Sequence, residues 1–153
     1  MKPRFGLLIL CMLFSVAAWS APEKSEPPVP KEAALHAIVV FREQPQTETG
    51  RGAAALIVRF AEESPAVKVS IDKTQTEWFG PKEDLKNYSI LLVAYIAGSV
   101  RSQLESGRTE HDGAASAQQL LETYQKLKQN DPHLRIEPVE KKLAEIGLKS
   151  KEK

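Results

Sequence analysis

Residues 80–107 read GPKEDLKNYSILLVAYIAGSVRSQLESG, the longest apolar stretch of the chain outside its N-terminal leader. Steps of about 100° per residue spread its apolar side chains around most of a helix, which predicts a helix buried on most of its circumference. Pro81 fits a first helical turn, and Gly107 fits the left-handed position after a last turn. The run from Ile90 to Val100 is shorter than the roughly 20 apolar residues that a bilayer needs, so we expect a core helix rather than a membrane span.

One narrow stripe of this helix carries small or polar residues and is the best candidate for a binding surface. Ala94 and Gly98 lie four residues apart on it, and Arg101 and Glu105 continue the line. Because glycine inside a helix costs about 1 kcal/mol relative to alanine, Gly98 indicates close packing against another backbone. That backbone belongs either to a neighbouring helix of the same chain or to a partner protein, to which Arg101 could offer a bidentate carboxylate contact.

Two aromatic residues before the helix allow two interpretations. Phe79 can pack on the first helical turns as a hydrophobic staple. Alternatively, Trp78 and Phe79 project together as a recognition pair, since aromatic side chains are favoured at interfaces. Together with the stripe they make up the predicted partner-binding set, which is Trp78, Phe79, Ala94, Gly98, Arg101 and Glu105.

The first twenty residues have the three parts of a secretory signal peptide. A short basic start precedes an apolar core from Phe5 to Val16, and Ala18-Trp19-Ser20 forms a small-x-small cleavage motif. Cleavage between Ser20 and Ala21 would also remove the single cysteine, Cys11. An exported domain without cysteine fits a bacterial periplasm or culture medium better than a eukaryotic secretory route, so we expect a periplasmic or secreted protein.

Charge and composition outline the mature chain. The full sequence has 21 basic and 20 acidic side chains, and loss of the two basic residues of the leader changes its net charge from +1 to about −1. This balance argues against a polyanion binder, so we expect no nucleic-acid partner. Residues 21–33 contain prolines among charges and predict an extended linker. A single domain over residues 34–148 and a charged tail at 149–153 complete the chain.

Three segments ahead of the long helix predict β-strands. Residues 34–42, ALHAIVVFR, are rich in β-branched and aromatic side chains, and residues 66–73, AVKVSIDK, alternate apolar with polar ones. Residues 53–63 are ambiguous. Alternating branched and aromatic side chains favour a strand that forms a hairpin with the next segment, whereas the alanine and glutamate content favours a helix and a β-α-β unit.

Two further helices are expected after the central one. Asp112 is a good N-cap for a helix of about residues 113–129. A last helix begins at Pro138, and Gly147 is its expected end. Because the strands precede the helices, the sequence predicts an α+β fold, in which an antiparallel sheet of about three strands packs against the long central helix and two C-terminal helices.

No stretch carries a catalytic, metal or nucleotide signature. The histidines, at positions 36, 111 and 133, lack zinc-ligand spacing, and Glu110-His111-Asp112 is better explained as a loop that ends in a helix cap. Ser99 lies within the helix without a G-x-S-x-G elbow, which favours a small packing residue over a nucleophile. We therefore predict no metal site and no cofactor.

Three hypotheses for function follow. The leading one is a non-enzymatic domain that binds another envelope or secreted protein, as an accessory subunit or as an inhibitor or immunity-type partner of an envelope enzyme. The second is a small envelope hydrolase, in which a histidine would lie within hydrogen-bond distance of a carboxylate. The third is a carrier with a small-ligand cavity between the sheet and the helices.

Overall fold

The computed structural model describes residues 27–151, and every regular element in that range is a helix. The helices are α1 (Lys31–Glu43), α2 (Glu48–Glu63), α3 (Lys73–Thr76), α4 (Leu85–Ser106), α5 (Gly113–Asn130) and α6 (Glu137–Lys151), with a 3₁₀ turn at Glu77–Phe79. The predicted α+β fold with three antiparallel strands is therefore wrong. The predicted signal peptide, its cleavage site at Ser20 and Ala21, and the first residues of the predicted linker lie outside the described residues.

The segment expected to be the first strand, residues 34–42, lies inside α1, which begins within the predicted linker. The buried side chains of α1 recur at helical spacing and are Ala34, Ala37, Ile38 and Phe41. The β-branched run at residues 38–40 favours a strand locally. Only the 3.6-residue period, however, brings all four buried side chains to one core.

The segment expected to be the second strand, residues 53–63, lies inside α2, so the helical alternative is the one observed, without a β-α-β unit. Thr47 caps this helix, because its hydroxyl accepts a hydrogen bond from the Gly50 backbone N–H at 3.1 Å. The buried side chains again follow the helical period and include Ala53, Ile57 and Phe60.

The third expected strand, residues 66–73, pairs with no other strand within the described chain. Its predicted hairpin neighbour is the helix α2, so no ladder can form. The side chains still alternate as in extended backbone: Val67 is buried and Val69 is half-buried, whereas Lys68 and Ser70 are exposed.

The central helix is α4, and α1, α2 and α5 all contact it. It begins later than predicted because Asp84 caps it, accepting from the Asn87 backbone N–H at 3.2 Å. It ends as predicted, with Gly107 in the left-handed conformation at φ 71°. Half of its 22 residues are buried. No helix between residues 27 and 151 is both long and apolar enough to cross a membrane.

The antiparallel pair of α4 and α5 is joined by a very close backbone contact. A Cβ atom added to Gly98 would lie 2.3 Å from the carbonyl oxygen of Ala115 and 2.8 Å from the Cα atom of Ser116. The helix α5 begins as predicted after Asp112, whose carboxylate accepts from the Ala115 backbone N–H at 3.0 Å. The backbone that Gly98 approaches therefore belongs to the same chain.

A buried tyrosine anchors α6 to α5. The hydroxyl of Tyr124 accepts from the Ile136 backbone N–H at 3.3 Å and donates to the Glu140 carboxylate at 2.6 Å. Burial and the neighbouring carboxylate raise the pKa of Tyr124 to about 12, so its hydroxyl stays a donor at neutral pH. Because α6 continues through Gly147 to Lys151, that glycine does not end the helix as expected.

We predict that Gly98→Ala lowers the free energy of unfolding by about 1–3 kcal/mol, because the added methyl group meets backbone that cannot move freely. The matched control is Gly52→Ala in α2, where an added Cβ meets no atom within 4 Å. This control should be neutral or stabilising by up to about 1 kcal/mol. Urea unfolding followed by circular dichroism measures both. If Gly98→Ala had the same free energy of unfolding as the wild type, this result would contradict the close contact between α4 and α5.

Candidate functional site

The structure places the predicted stripe of α4 partly inside the protein. Ala94 and Gly98 are fully buried, and Gly98 lies against α5. Arg101 is half-buried and Glu105 is exposed. Of this stripe, only Arg101 and Glu105 therefore have side chains that solvent can reach.

The two aromatic residues ahead of α4 also differ in exposure. Phe79 is 1% exposed, and its ring meets Tyr88 and Tyr95 edge-to-face at centroid distances of 5.6 and 5.7 Å. Such pairs stabilise a core beyond the area that they bury. Trp78 is half-buried. Phe79 therefore packs on α4, in the manner of the staple considered above, while one side of Trp78 remains accessible.

A polar network lies beside this stripe, where α4 meets the loop before α5. Ser99 is fully buried, and its Oγ atom lies 2.9 Å from Nδ1 of His111. The same oxygen accepts hydrogen bonds from the Asp112 backbone N–H at 3.0 Å and from Nε2 of Gln103 at 2.8 Å. One hydroxyl thus joins α4, the loop and the start of α5.

These contacts fix the protonation state of the histidine. Both lone pairs of the Ser99 oxygen are occupied, so its proton is donated to Nδ1 of His111, which must be unprotonated. The proton of the ring then lies on Nε2, which is 3.1 Å from the Tyr95 hydroxyl. Burial lowers the pKa of His111, against a smaller opposing effect of Asp112, so the ring is neutral at pH 7.

The carboxylate of Asp112 does not complete a catalytic triad. One of its oxygens accepts from Ala115 N–H, and the other accepts from the Ser102 hydroxyl at 2.6 Å. These two bonds lower the pKa of Asp112 and hold the carboxylate at the first turn of α5. Because Ser99 is 0% exposed and has no free lone pair, it cannot attack a substrate as it stands. The network is therefore suited to holding elements together.

The far end of the network holds an extended segment. Oε1 of Gln103 accepts from the Lys68 backbone N–H at 2.8 Å, and Nε2 donates to the Lys68 carbonyl at 3.0 Å. Gln103 is 2% exposed. One buried side-chain amide therefore pairs with both backbone groups of a single residue, as an adjacent strand would.

The other histidines form no comparable site. His36 and His133 are exposed, and neither side chain is hydrogen-bonded to another described residue. Within residues 27–151, therefore, none of the three histidines makes the histidine–carboxylate hydrogen bond on which the hydrolase hypothesis depends. Among the described residues, no group of three His, Cys, Asp or Glu side chains could hold a metal ion.

An open groove of about 410 Å³ runs between α1 and α5. Its lining residues are Val39, Arg42, Glu43, Gln119, Glu122, Thr123, Gln125, Lys126 and Gln129. Val39 is 50% exposed, and Arg42 bridges the two helices through an ion pair with Glu122 at 3.2 Å. Gln119 is 2% exposed, and its Oε1 atom has no hydrogen-bond partner in the described part of the chain.

Sequence reasoning found neither the network nor the groove. A local signal for the network did exist, since Ser99 and Gln103 are polar residues four apart on an otherwise apolar part of α4. The sequence carried no local signal for the groove, because α1 was expected to be a strand. No protein-family model, curated protein or solved structure matches the chain. The site must therefore be interpreted from its own geometry.

We predict that the free energy of unfolding falls as the pH drops from about 7 to about 5.5. Burial lowers the pKa of folded His111, so the unfolded chain takes up the proton first, below the ordinary value of 6.5. His111→Gln should flatten this part of the profile, whereas His36→Gln, at an exposed position, should keep it. Urea unfolding at each pH measures the effect. An unchanged slope in His111→Gln would contradict a half-buried, neutral ring at this position.

Proposed function

We propose that this chain is an exported domain of the bacterial envelope that is not an enzyme and acts by binding another protein. An accessory subunit, or an inhibitor or immunity-type partner of an envelope enzyme, fits this role. The predicted signal peptide supports the location, and the near-neutral charge supports a protein rather than a nucleic-acid partner. The observation that carries the proposal is the groove between α1 and α5.

The composition of the groove favours a protein partner. Protein interfaces combine an apolar centre with a rim of polar and charged groups. Val39 supplies an exposed apolar side chain, and Arg42, Glu122 and Lys126 supply charges around it. Small-molecule sites are mostly enclosed and apolar instead. The open shape and long side chains of this groove are therefore better suited to a protein surface.

The amide oxygen of Gln119, which has no hydrogen-bond partner among the described residues, also supports a partner protein. A buried polar atom without a hydrogen bond costs about 1–3 kcal/mol, so a donor from a partner would be favourable. The Arg42–Glu122 ion pair lines the same groove, and its side chains are 39% and 37% exposed. Exposed ion pairs contribute about 0–1 kcal/mol, so rearranging this one in a complex costs little.

The alternative hydrolase receives less support from the same structure. Its best nucleophile would be Ser99, the serine that contacts a histidine, but the surrounding protein buries its hydroxyl. Two N–H donors already occupy the oxygen. A binding role needs no such exposed reactive group.

We predict that Val39→Glu reduces capture of a stoichiometric partner from periplasmic extract by about tenfold or more, because it replaces the exposed apolar side chain of the groove with a charged one. The matched control is Leu56→Glu on α2, which changes a residue of similar exposure, 41% against 50%, outside the groove. It should capture the partner as the wild type does, and both variants should keep the wild-type circular dichroism.

Affinity purification with quantitative mass spectrometry compares the three proteins. Absence of any stoichiometric partner would contradict the proposed function. Equal capture by both variants would contradict the groove as its site.

A further inference from the structure

The segment from Val67 to Ile71 is an extended backbone that is already held in place. The Gln103 side chain binds both the N–H and the C=O of Lys68, which requires the two groups to point the same way, as they do in a strand. The burial of Val67 and the exposure of Lys68 and Ser70 show the same two-residue period.

The outer edge of this segment has unpaired backbone groups. Successive residues of an extended chain direct their N–H and C=O groups to opposite sides. The N–H and C=O groups of Lys68 face Gln103. The N–H and C=O groups of Val67, Val69 and Ile71 therefore face away from Gln103. None of these three residues makes a backbone hydrogen bond to another described residue. Exposed strand edges of this kind are templates for pairing with another strand.

We propose that this outer edge pairs antiparallel with the same edge of a second copy of the chain, forming a two-fold dimer through a two-stranded ribbon. This inference goes beyond the proposed function and does not depend on it. Two-fold contacts require a surface that is complementary to itself. Every antiparallel register about a two-fold axis meets that requirement, and the register centred on Val69 is the one that pairs all three outward-facing residues, Val67, Val69 and Ile71, with the second copy.

The register centred on Val69 is self-complementary. It places Val69 opposite its own copy and Val67 opposite Ile71 of the second copy, which covers Ile71, now 39% exposed. On the other face, Lys68 lies opposite Ser70 of the second copy. A register centred on Lys68 would place two lysines directly opposite each other, and like charges at such positions are destabilising.

The dimer should be weak but specific. Because Gln103 and the burial of Val67 already order the segment, pairing loses little further conformational entropy. The interface is small, however, since it consists of backbone bonds from three residues in each copy. We therefore expect a monomer at about 10 µM and a detectable dimer at about 1 mM.

Amide hydrogen exchange tests this proposal on the unaltered protein. Raising the concentration from about 10 µM to about 1 mM should slow exchange at Val67, Val69 and Ile71. Lys68 should exchange slowly at both concentrations because Gln103 binds it, and Ser70 should exchange rapidly at both. Equal rates at the two concentrations for the three outer amides would overturn the proposal.

Two adjacent proline variants provide an independent test by sedimentation equilibrium. Proline lacks the N–H group and is tolerated in extended edge segments. Val69→Pro removes an outward N–H and should abolish the dimer at about 1 mM, whereas Ser70→Pro removes an inward, unpaired N–H and should retain it. Circular dichroism checks that both variants fold. If Val69→Pro does not fold, the hydrogen-exchange experiment on the unaltered protein decides whether the dimer forms.

A monomeric wild type at about 1 mM, or equal dimerisation of the two proline variants, would overturn the proposal. Val39→Glu should leave the dimer intact. The exchange and sedimentation experiments therefore test self-pairing, and the capture experiment tests the partner groove, so either proposal can fail without the other.

Discussion

The contact between the backbones of α4 and α5 at Gly98 is the constraint on which the rest of the structure depends. Because no side chain separates the helices there, the next residue, Ser99, lies close enough to bind both the loop and the cap of α5. One turn later, Gln103 reaches back to Lys68. A single small residue thus positions a network that extends from α5 across α4 to the extended segment.

This network changes how a serine–histidine contact should be interpreted. Ser99 and His111 lie at a distance that suits proton transfer, yet the hydroxyl is buried and already accepts two N–H groups. A fully satisfied buried network makes a structure rigid and specific, whereas a nucleophile needs access and a free lone pair. The interior therefore supports the fold, and the two surfaces proposed for recognition, the groove and the strand edge, do not depend on a reactive serine.

The sequence predicted the elements whose signals are local. The central helix, its glycine end at Gly107 and the Asp112 cap depend on residues within one or two turns, and all three are observed. The helices α1 and α2 were missed because β-branched and alternating residues resemble strands over short windows. The Gln103–Lys68 contact spans 35 residues, so no local pattern could reveal it. The groove required knowing that both α1 and α5 are helices.

The role of Ser99 as a structural junction is tested most directly by the free energy of unfolding of Ser99→Ala, measured by urea denaturation. Removing this hydroxyl leaves the Asp112 N–H and one bond of Gln103 without their acceptor and leaves Nδ1 of His111 without its donor. We expect a loss of about 2–4 kcal/mol, because one buried and two half-buried residues lose a hydrogen-bond partner together. A change of less than about 0.5 kcal/mol, as at an ordinary surface position, would contradict this role.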